Sequence, residues 1–515
     1  MNEADQHPHR LLGWLVFLLP LIAFFTRLGA APLFDVDEGA FSEATREMFE
    51  RGDFLSTYLD GENRFDKPIL IYWFQALGYL IFGPTEWAFR LPSAIAAAAW
   101  SYATWHFVRE RFGPATALAA LLVTSTALGP FAIGRAATAD ALLNLWLALS
   151  LFDAWRHLES GRRAPLLRSY LWMGLGVLTK GPIALIVPAA VTLLYCLSRG
   201  QWRTWLRAIA DPIGWVILLA LVVPWYAAAL NIHGQAFIDG FILKHNVKRF
   251  TATLEGHAGS LFYYVLAMPL LLLPWVGPLL SAIRNARRDV GTGVRRFLWI
   301  WALFVVVFFS FSGTKLPHYA LYGATPLFVL IAVHRVELKR GLAHAIAPTL
   351  LFALFPVLPP LLAFLASGEA GDAFYRAQLA RALEVATPFY YLATLIVLLV
   401  WLALAFRSQL GVWKKMAMAA VMQVALLAGV VMPYLGTLVQ GPVKAAGLHA
   451  RELGESATRM RFDVPSFSVY AQSVTPAKTP DPGGLALTRI DRVPPEGYDT
   501  VFAQGGVVLL RRHAP

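Results

Sequence analysis

Apolar segments long enough to cross a lipid bilayer recur along most of the chain, and charged residues or Pro and Gly bound each of them. A helix needs roughly 20 consecutive apolar residues to span the hydrocarbon core. About thirteen segments fit this description, and they cover residues 11–28, 86–107, 115–130, 138–156, 167–178, 181–198, 213–230, 261–283, 295–311, 319–336, 343–366, 387–406 and 414–434. This pattern predicts an all-α polytopic membrane protein.

The composition agrees with a membrane protein and excludes several other classes. Hydrophobic residues make up 57% of the chain and charged residues only 15%, whereas a soluble protein carries about 25% charged residues. A soluble enzyme, a disordered chain and a collagen are therefore excluded. The net charge of +12 would suggest nucleic acid as the partner of a soluble domain. In a membrane protein it indicates Lys and Arg in cytoplasmic loops, so we expect membrane lipids and no nucleic acid as partners.

The loops between the predicted spans differ in charge, and this difference predicts the orientation of the chain. Every second loop is basic, and the basic residues of this set are Arg109, Arg111, Arg156, Arg162, Arg163, Arg168, Arg199, Arg203, Arg207, Arg284, Arg287, Arg288, Arg295, Arg296, Arg335, Lys339, Arg340, Arg407, Lys414 and Lys415. Basic loops remain in the cytoplasm. The N-terminus is therefore predicted to be cytoplasmic, and residues 29–85 and 435–515 are predicted to be periplasmic.

The last part of the chain has a different composition from the rest. Residues 435–515 are richer in Pro and Gly, and the pieces 466–470 and 507–510 look like short strands. We therefore divide the chain into a multi-span membrane domain, residues 1–434, and a small C-terminal α/β periplasmic domain, residues 435–515. The alternative is a loose tail.

The first outer loop, residues 29–85, is expected to be catalytic because long ordered loops on a rigid scaffold usually carry function. Asp37 follows the first span, and Asp66 stands next to Lys67. A carboxylate at the membrane edge is costly unless it is solvated, paired or bound to a metal. Residues 38–50 have the spacing of an amphipathic helix at the interface. The acidic residues Glu43, Glu47, Glu50 and Glu62 are interpreted as solvated loop charges.

Several short motifs follow one another in a fixed order. They are Pro32-Leu33-Phe34-Asp35-Val36-Asp37-Glu38-Gly39, Arg46-Glu47-Met48, Gly52-Asp53-Phe54, Phe65-Asp66-Lys67-Pro68, Tyr72-Trp73, Leu178-Thr179-Lys180-Gly181-Pro182, Pro224-Trp225-Tyr226, His245-Asn246-Val247-Lys248-Arg249-Phe250 and Ser312-Gly313-Thr314-Lys315-Leu316-Pro317-His318-Tyr319. Together they resemble the bacterial glycosyltransferases of the protein-mannosyltransferase type, which include the lipid A 4-amino-4-deoxy-L-arabinose transferases. The resemblance implies a GT-C membrane fold with a catalytic pocket on the outer face.

The same resemblance implies roles for individual residues. Asp37 matches the expected general base, and Asp140 matches a second acid at the outer end of a span. Lys67 matches the lysine that faces the lipid phosphate. Asp66 matches a carboxylate of a divalent-metal site, and His245 stands where the family has a metal-ligand histidine. The family often reads His-x-x-Arg-Phe at this point, and this chain has one residue more, so His257 is a competing candidate for the metal ligand.

Basic residues on the outer side call for an explanation of their own, because that side should be poor in them. The outer set comprises Lys67, Lys180, Lys244, Lys248, Arg249, Lys315 and His318. Recognition of a lipid phosphate explains Lys67, Lys180, Arg249 and Lys315. The alternative is that long side chains reach the interface only to solvate their charge, and this is our interpretation of Lys244 and Lys248.

These observations predict a glycosyltransferase that moves a sugar from a polyprenyl-phosphate carrier to a lipid A, glycan or protein acceptor at the periplasmic face of the inner membrane. The reaction is expected to be inverting, with a base on one side and cations on the leaving phosphate. No Gly-rich phosphate loop or soluble nucleotide-binding unit is visible, so no nucleotide cofactor is expected. A divalent metal ion remains an open option. The alternative function is a polytopic lipid or solute transporter or flippase.

Overall fold

The computed structural model describes residues 3–253, 256, 258–291, 293–338, 343–368, 371–407, 409–494 and 496–514, with side chains from residue 13 onward. Most of this chain is helical. The α-helices of the first half of the chain are α1 Glu3–Phe25, α2 Asp37–Arg51, α3 Leu70–Phe82, α4 Glu86–Phe112, α5 Pro114–Thr126, α6 Leu128–Gly134, α7 Asp140–Ser160, α8 Arg163–Lys180, α9 Ile183–Ser198, α10 Trp202–Ile209, α11 Pro212–His233 and α12 Gln235–Phe237.

The second half of the chain continues in the same way. Its helices are α13 Arg249–Thr251, α14 Tyr263–Leu271, α15 Val276–Asp289, α16 Gly293–Ser310, α17 Ala324–Val333, α18 Ala343–Ser367, α19 Ala373–Leu379, α20 Ala382–Val385, α21 Pro388–Phe406, α22 Val412–Leu426, α23 Met432–Val439, α24 Gly441–Glu452 and α25 Ser466–Ala471. Two π-helices, Ile238–Lys248 and Leu427–Val431, and three 3₁₀-helices, Pro317–Gly323, His334–Glu337 and Ile490–Arg492, lie between them.

Helices occupy every segment that the sequence predicts as a span. Several of these helices are short or broken. The segment 115–130 consists of α5 and α6, which are bent by 61°, and 261–283 is divided between α14 and α15. By length and composition, six of the described helices can cross a membrane, or seven if α5 and α6 form one span. Leu and Ile side chains of α18 and α21 remain exposed on their outer faces, as is expected for helices that face lipid.

Helix α2 forms where the sequence predicts it, but its polar face is not at an interface with water. Glu43 and Glu47 are fully buried, so the prediction that they are solvated charges is wrong. Arg46 donates to both carboxylate oxygens of Glu43 at 2.7 Å. The burial has a simple cause, because α25 from the far end of the chain packs on α2. The exposed members of the predicted set are Glu50 and Glu62.

The described part of residues 435–515 combines two helices with a four-stranded sheet. The sheet order is β3-β4-β6-β5, built from Ala457–Arg459, Leu485–Arg489, Val507–Arg512 and Tyr498–Gln504. β3 and β4 run parallel, and the other pairs are antiparallel. A separate hairpin of β1 Tyr58–Leu59 and β2 Glu62–Asn63 lies in the first loop. Residues 507–510 lie within β6, which confirms their prediction as a strand.

The prediction of a strand at residues 466–470 is wrong, because these residues begin α25. Their alternating pattern suggested one buried and one exposed face, yet all residues of α25 are buried. The helix begins directly after Pro465, whose fixed φ suits the start of a helix. Gly447 allows α24 to pack closely against α25. A Cβ atom at position 447 would lie 2.8 Å from the Cβ atom of Tyr470 and 2.9 Å from the Phe467 carbonyl oxygen.

Candidate active site

A buried ion pair joins the start of α2 to α4. Arg90 donates to both carboxylate oxygens of Glu38, at 2.8 and 2.7 Å. The same carboxylate accepts the N–H of Phe34 at 2.9 Å and the N–H of Ala137 at 2.6 Å. Glu38 therefore ties the first outer loop to the segment that precedes α7. As a result, the acidic residues at the starts of α2 and α7, Asp37 and Asp140, line one cavity.

This cavity, called here the Asp37 cavity, has a volume of about 340 Å³. Its lining includes acidic, basic and apolar side chains, namely Asp35, Asp37, Glu38, Asp140, His318, Arg27, Arg90, Arg135, Phe34, Phe131 and Met432. Asp37 is solvent-accessible within it, and its carboxylate has no hydrogen-bond partner among the described residues. Val36 is the N-cap of α2. A purely structural role of Asp37, as the residue that caps α2, therefore has no support.

The environment of Asp37 makes its carboxylate a stronger proton acceptor than an ordinary aspartate. Burial in the cavity raises the pKa of the Asp37 carboxyl above its usual value, and the nearby Asp140 carboxylate raises that pKa further. Lys67 and Lys180 act in the opposite direction. A carboxylate that is accessible, unpaired and more basic than usual has the properties of a general base.

Asp140 is held by two groups from distant parts of the chain, Lys180 and Tyr322, and a third group, His318, lies nearby. Lys180, the last residue of α8, places its amine 2.5 Å from Asp140 Oδ1. The hydroxyl of Tyr322 donates to the same oxygen at 3.2 Å, and His318 Nε2 lies 3.7 Å from it. Both His318 and Tyr322 belong to the 3₁₀-helix Pro317–Gly323. Asp140 is thus a paired acid, in contrast to Asp37.

A second cavity, called here the Lys67 cavity, lies on the other side of Asp140. Its volume is about 410 Å³. Its polar lining is formed by Asp66, Lys67, Lys180, His245, Asn246, Arg249, Ser312, Tyr319 and Tyr322, and its apolar lining by Pro182, Ile183, Ile186, Phe241, Val247, Phe250, Phe308 and Phe309. A cluster of cations beside an apolar channel suits a ligand with an anionic head and a hydrocarbon chain.

Asp66 is the centre of the ionic network in the Lys67 cavity. Its Oδ1 lies 2.7 Å from the Lys67 amine, 3.0 Å from His245 Nδ1 and 3.6 Å from Arg249 Nη1. Its Oδ2 accepts from Arg64 Nη2 at 3.0 Å. Burial alone would raise the pKa of Asp66, but Lys67, His245 and Arg64 hold it well below its usual range. Asp66 is therefore an anion that arranges the surrounding cations.

The surroundings of Lys67 disfavour its charged form, whereas those of Asp66 favour the charged form of that residue. The pKa of Lys67 is lowered to about 8, mainly by burial. The positive charges of Lys180 and Arg249 also lower it, whereas Asp66 favours the charged form. The positive charges of this cavity are thus only partly neutralised by Asp66. An anionic ligand bound in the Lys67 cavity would neutralise the remaining positive charge.

The π-helix Ile238–Lys248 carries His245 into the network around Asp66. π-helices appear at functional sites, and they place residues five apart in the hydrogen-bonding pattern. His245 lies in the last turns of this helix and Arg249 directly follows it. Both nevertheless approach the same oxygen of Asp66.

Two of the predicted metal ligands meet in the structure. His245 Nδ1 is buried beside Asp66 and makes no hydrogen bond of acceptable geometry within the described residues. A carboxylate and an imidazole nitrogen that face each other are ligand types suited to Zn²⁺. His257 lies outside the described residues. No cluster of three or more metal-ligating side chains occurs in the part of the chain that the structure describes.

The remaining predicted residues lie away from this centre. The Lys315 amine is buried and donates to the Ser312 carbonyl at 2.6 Å, and Lys315 lines neither cavity. Its predicted phosphate role gains no support from this position. Lys244 and Lys248 are exposed, in agreement with their interpretation as interfacial charges.

The sequence reasoning missed several residues that form the site. Glu38 and Arg90 fix the first loop, while Arg64 and Tyr322 complete the two ionic clusters. Arg90 could have been identified from the sequence, because an arginine inside an apolar span is energetically costly and needs a partner. Tyr322 could not have been identified in this way, because aromatic residues are common in apolar segments.

Comparisons with known proteins find similar transferases. Residues 66–227 match the family model described as dolichyl-phosphate-mannose-protein mannosyltransferase. The chain is 30% identical over 349 residues to an undecaprenyl phosphate-alpha-4-amino-4-deoxy-L-arabinose arabinosyl transferase of Aeromonas salmonicida, which covers 65% of this chain and 62% of the relative. A transferase of the same name from Yersinia enterocolitica is 31% identical, with coverages of 63% and 58%. The chain thus spans less than two thirds of the length of either relative.

Solved structures match the chain over nearly its whole length. The crystal structure of ArnT from Cupriavidus metallidurans bound to undecaprenyl phosphate has a TM-score of 0.79 and 22% identity, and the match covers 97% of this chain and 98% of ArnT. The apo structure of the same protein gives a TM-score of 0.78, with 98% of each chain covered. The chain has the ArnT fold. The resemblance to GT-C glycosyltransferases of the protein-mannosyltransferase type is confirmed, and so is the mainly helical architecture.

Proposed function

We propose that this protein is an inner-membrane glycosyltransferase that moves a sugar from a polyprenyl-phosphate carrier to an acceptor at the periplasmic face. The observation that carries the proposal is the contact between Asp140 and Lys180, because it stands between a cavity with a candidate base and a cavity with a cation cluster. The names of the similar arabinosyl transferases favour undecaprenyl phosphate-linked 4-amino-4-deoxy-L-arabinose as the donor.

The Lys67 cavity is the proposed site of the carrier. Lys67 and Arg249 bind the phosphate, and Lys180 contributes a third positive charge at the boundary with the other cavity. Charge-assisted hydrogen bonds of this type are about twice as strong as neutral ones. Ile186, Val247 and Phe250 leave apolar surface exposed along the cavity, which suits the first isoprene units of the carrier.

The Asp37 cavity is the proposed site of the acceptor. Arg27 and Arg135 line it, and their guanidinium groups donate to backbone carbonyls, at 3.0 Å to Gly429 and 3.0 Å to Ala23 respectively. Among the described residues, neither group forms an ion pair with a carboxylate. Two uncompensated arginines favour an acceptor with an anionic group, such as a phosphate of lipid A, over a neutral glycan or protein hydroxyl.

In the proposed reaction, an oxygen of the singly protonated acceptor phosphate attacks the anomeric carbon of the sugar while Asp37 removes the remaining proton. The new carbon–oxygen bond forms as the bond between the anomeric carbon and the carrier phosphate oxygen breaks. The electron pair of that bond leaves with the phosphate, and Lys67 and Arg249 stabilise the charge. Asp140 keeps Lys180 in place between the two reacting groups. Attack from the side opposite to the leaving group inverts the anomeric centre.

A divalent metal is a separate part of the proposal. Asp66 and His245 would hold such an ion, because a buried imidazole nitrogen without a well-aligned hydrogen bond faces the carboxylate. Bound there, the ion would add positive charge near the carrier phosphate. The catalytic steps above need only the side chains of the chain itself, and no nucleotide cofactor is involved.

The proposed topology has thirteen spans, a cytoplasmic N-terminus and a periplasmic C-terminus. Helices at every predicted span and the alternation of basic loops support it. In this arrangement residues 1–434 form the membrane domain, with 29–85 as the catalytic outer loop, and residues 435–515 form a periplasmic domain. The transporter or flippase alternative has no support from the comparisons, since the similar curated proteins are transferases.

The test is transfer by the purified protein in detergent or liposomes. Undecaprenyl phosphate-linked 4-amino-4-deoxy-L-arabinose is supplied with lipid A, and mass spectrometry follows the product. We expect a sugar added to lipid A that depends on the carrier-linked donor. A parallel reaction with lipid A from which the phosphates have been removed tests the anionic acceptor. Transfer of equal rate to both acceptors would contradict the acceptor assignment, and absence of all transfer to lipid A, glycans and proteins would contradict the function.

A further inference from the structure

A second contact, independent of Glu38, holds the turn that carries Asp37. Asp35 precedes Asp37 by two residues, and its carboxylate reaches the C-terminal region. The Ser466 N–H donates to Asp35 Oδ1 at 3.0 Å, and the Ser466 hydroxyl donates to Oδ2. The amide of Gln440, at the end of α23, also lies beside Asp35. In the amide orientation that satisfies both groups, its nitrogen donates to Asp35 Oδ2 at 3.2 Å and its oxygen accepts from the Asp35 N–H at 3.1 Å.

Gly39 permits this contact. A Cβ atom at position 39 would lie 2.0 Å from Asp35 Oδ1 and 2.6 Å from Ser466 N. Real Cβ atoms do not approach other atoms this closely, so any larger residue would separate Asp35 from Ser466. The first turn of α2 is therefore shaped to let the C-terminal region reach the carboxylate.

The contact belongs to a wider attachment between α25 and the first outer loop. Ser468 donates to Asp60 at 2.8 Å, and the Leu33 N–H donates to the Tyr470 hydroxyl at 2.8 Å. These bonds fix the loop before and after Asp37. Among them, the bond to Asp35 is the one closest in sequence to Asp37, and Asp35 itself lines the Asp37 cavity.

We propose that Ser466 is a positioning residue of the active site, which acts through Asp35 to hold Asp37 in its reactive position. This inference rests on the proposed function, in which Asp37 is the base. It makes the C-terminal region a part of the catalytic centre. Asp35 is partly buried and has no ion-pair partner in the described part of the chain, so its carboxylate depends on hydrogen-bond donors such as Ser466 for compensation.

The consequence of losing Ser466 follows from this dependence. Burial raises the pKa of Asp35 to about 7, while the hydrogen bonds from Ser466 lower it. Ser466→Ala removes the hydroxyl donor to Oδ2 and leaves the backbone N–H on Oδ1. With this compensation reduced, the Asp35 carboxyl group would take up a proton or turn away, and the turn between Asp35 and Asp37 would be released. A displacement of about 1 Å at a reacting group can cost on the order of 100-fold in rate.

The experiment compares steady-state transfer by the wild type, Ser466→Ala, Ser466→Thr and Asp35→Asn, with rates expressed per folded protein. Ser466→Ala and Asp35→Asn should each lower kcat by about 10- to 100-fold, and they should leave KM for the carrier-linked donor unchanged because the Lys67 cavity is intact. Ser466→Thr keeps the hydroxyl and should restore most of the rate. Ser456→Ala, an exposed serine of the same region, is the matched control and should behave as wild type.

A double variant separates this inference from the proposed function. If Ser466 acts through Asp37, then Asp37→Asn with Ser466→Ala should lose no more activity than Asp37→Asn alone. Three results would each overturn the positioning role. The first is a double variant whose loss of rate equals the product of the two single losses. The others are a raised KM for the donor in Ser466→Ala and a rate of Ser466→Ala within about two-fold of wild type. Asp37→Asn that retains wild-type transfer would instead contradict the proposed function. If Ser466→Ala does not accumulate in the membrane, Asp35→Asn takes its place, alone and combined with Asp37→Asn.

Discussion

Asp140 and Lys180 meet at 2.5 Å between the two cavities, one at the first residue of α7 and the other at the last residue of α8. Asp140 lines the Asp37 cavity, whereas Lys180 lines the Lys67 cavity. In the proposed reaction the bond that forms and the bond that breaks lie on either side of this pair. That reaction gives the pair a catalytic role in addition to its structural one, and the two roles can be tested separately.

Separate and combined substitutions of the pair should have different effects on stability and on transfer. Asp140→Asn or Lys180→Met alone leaves a largely buried charge without its ion-pair partner, at a cost of up to about 3–5 kcal/mol in the free energy of unfolding. The double variant removes both charges and should regain most of that stability, while transfer stays low. Thermal unfolding in detergent and a transfer assay on the same samples check this. A double variant that is fully active would contradict the catalytic role of the pair.

Binding of the donor should depend on pH through Lys67. The pKa of Lys67 is lowered to about 8, so its amine loses the proton and the positive charge as the pH rises through that value. We therefore expect KM for the carrier-linked donor to rise above pH 8. Lys67→Arg keeps the charge over this range and should remove the rise. A donor KM that is independent of pH in the wild type would contradict the contact between Lys67 and the carrier phosphate.

Arg27 and Arg135 should act on the acceptor alone. Arg27→Gln and Arg135→Gln each remove one positive charge from the Asp37 cavity but leave the Lys67 cavity intact. A lost charge-assisted contact of roughly 1.5–3 kcal/mol corresponds to about a 10- to 100-fold higher KM for lipid A. The KM for the donor should not change. Exposed Arg163, whose partner Asp211 lies far from both cavities in sequence and lines neither, offers the matched control Arg163→Gln.

Much of the fold could be predicted because membrane spans have a strong local signature. Length and apolarity are enough to locate a helix, and α4, α11 and α21 begin within two residues of their predicted starts. The burial of α2 could not be predicted in the same way. Its polar face meets α25, which lies more than 400 residues further along the chain, and no local pattern contains that information.

The candidate site was predictable where a residue belongs to a motif. Asp37, Asp66, Lys67 and His245 stand in such motifs, and the structure brings the last three of them together. Lys315 also belongs to a motif, but its amine turns to a backbone carbonyl. The direction of a long flexible side chain depends on the neighbours that compete for its charge, and a sequence does not give their positions.

The pH profile of turnover tests whether Asp37 has the environment that the structure gives it. Its pKa is raised by burial and by Asp140, and only the ionised carboxylate can accept a proton. The rate should therefore fall with decreasing pH at a higher pH than an ordinary aspartate would require. In Asp140→Asn the repulsion is gone, so the residual activity should persist to lower pH. An acid limb that does not move in this variant would show that Asp140 does not act on the titrating group.

The central claim is that Asp37 is the general base, and the substitution Asp37→Asn tests it most directly. The change keeps the size of the side chain and, because Val36 and not Asp37 caps α2, it should not affect folding. Loss of a general base costs about 10²–10⁴ in rate. We expect Asp37→Asn to reach normal abundance in the membrane and to transfer sugar from the carrier to lipid A at least about 100-fold more slowly than the wild type. Normal abundance with transfer within about two-fold of wild type would contradict the base role.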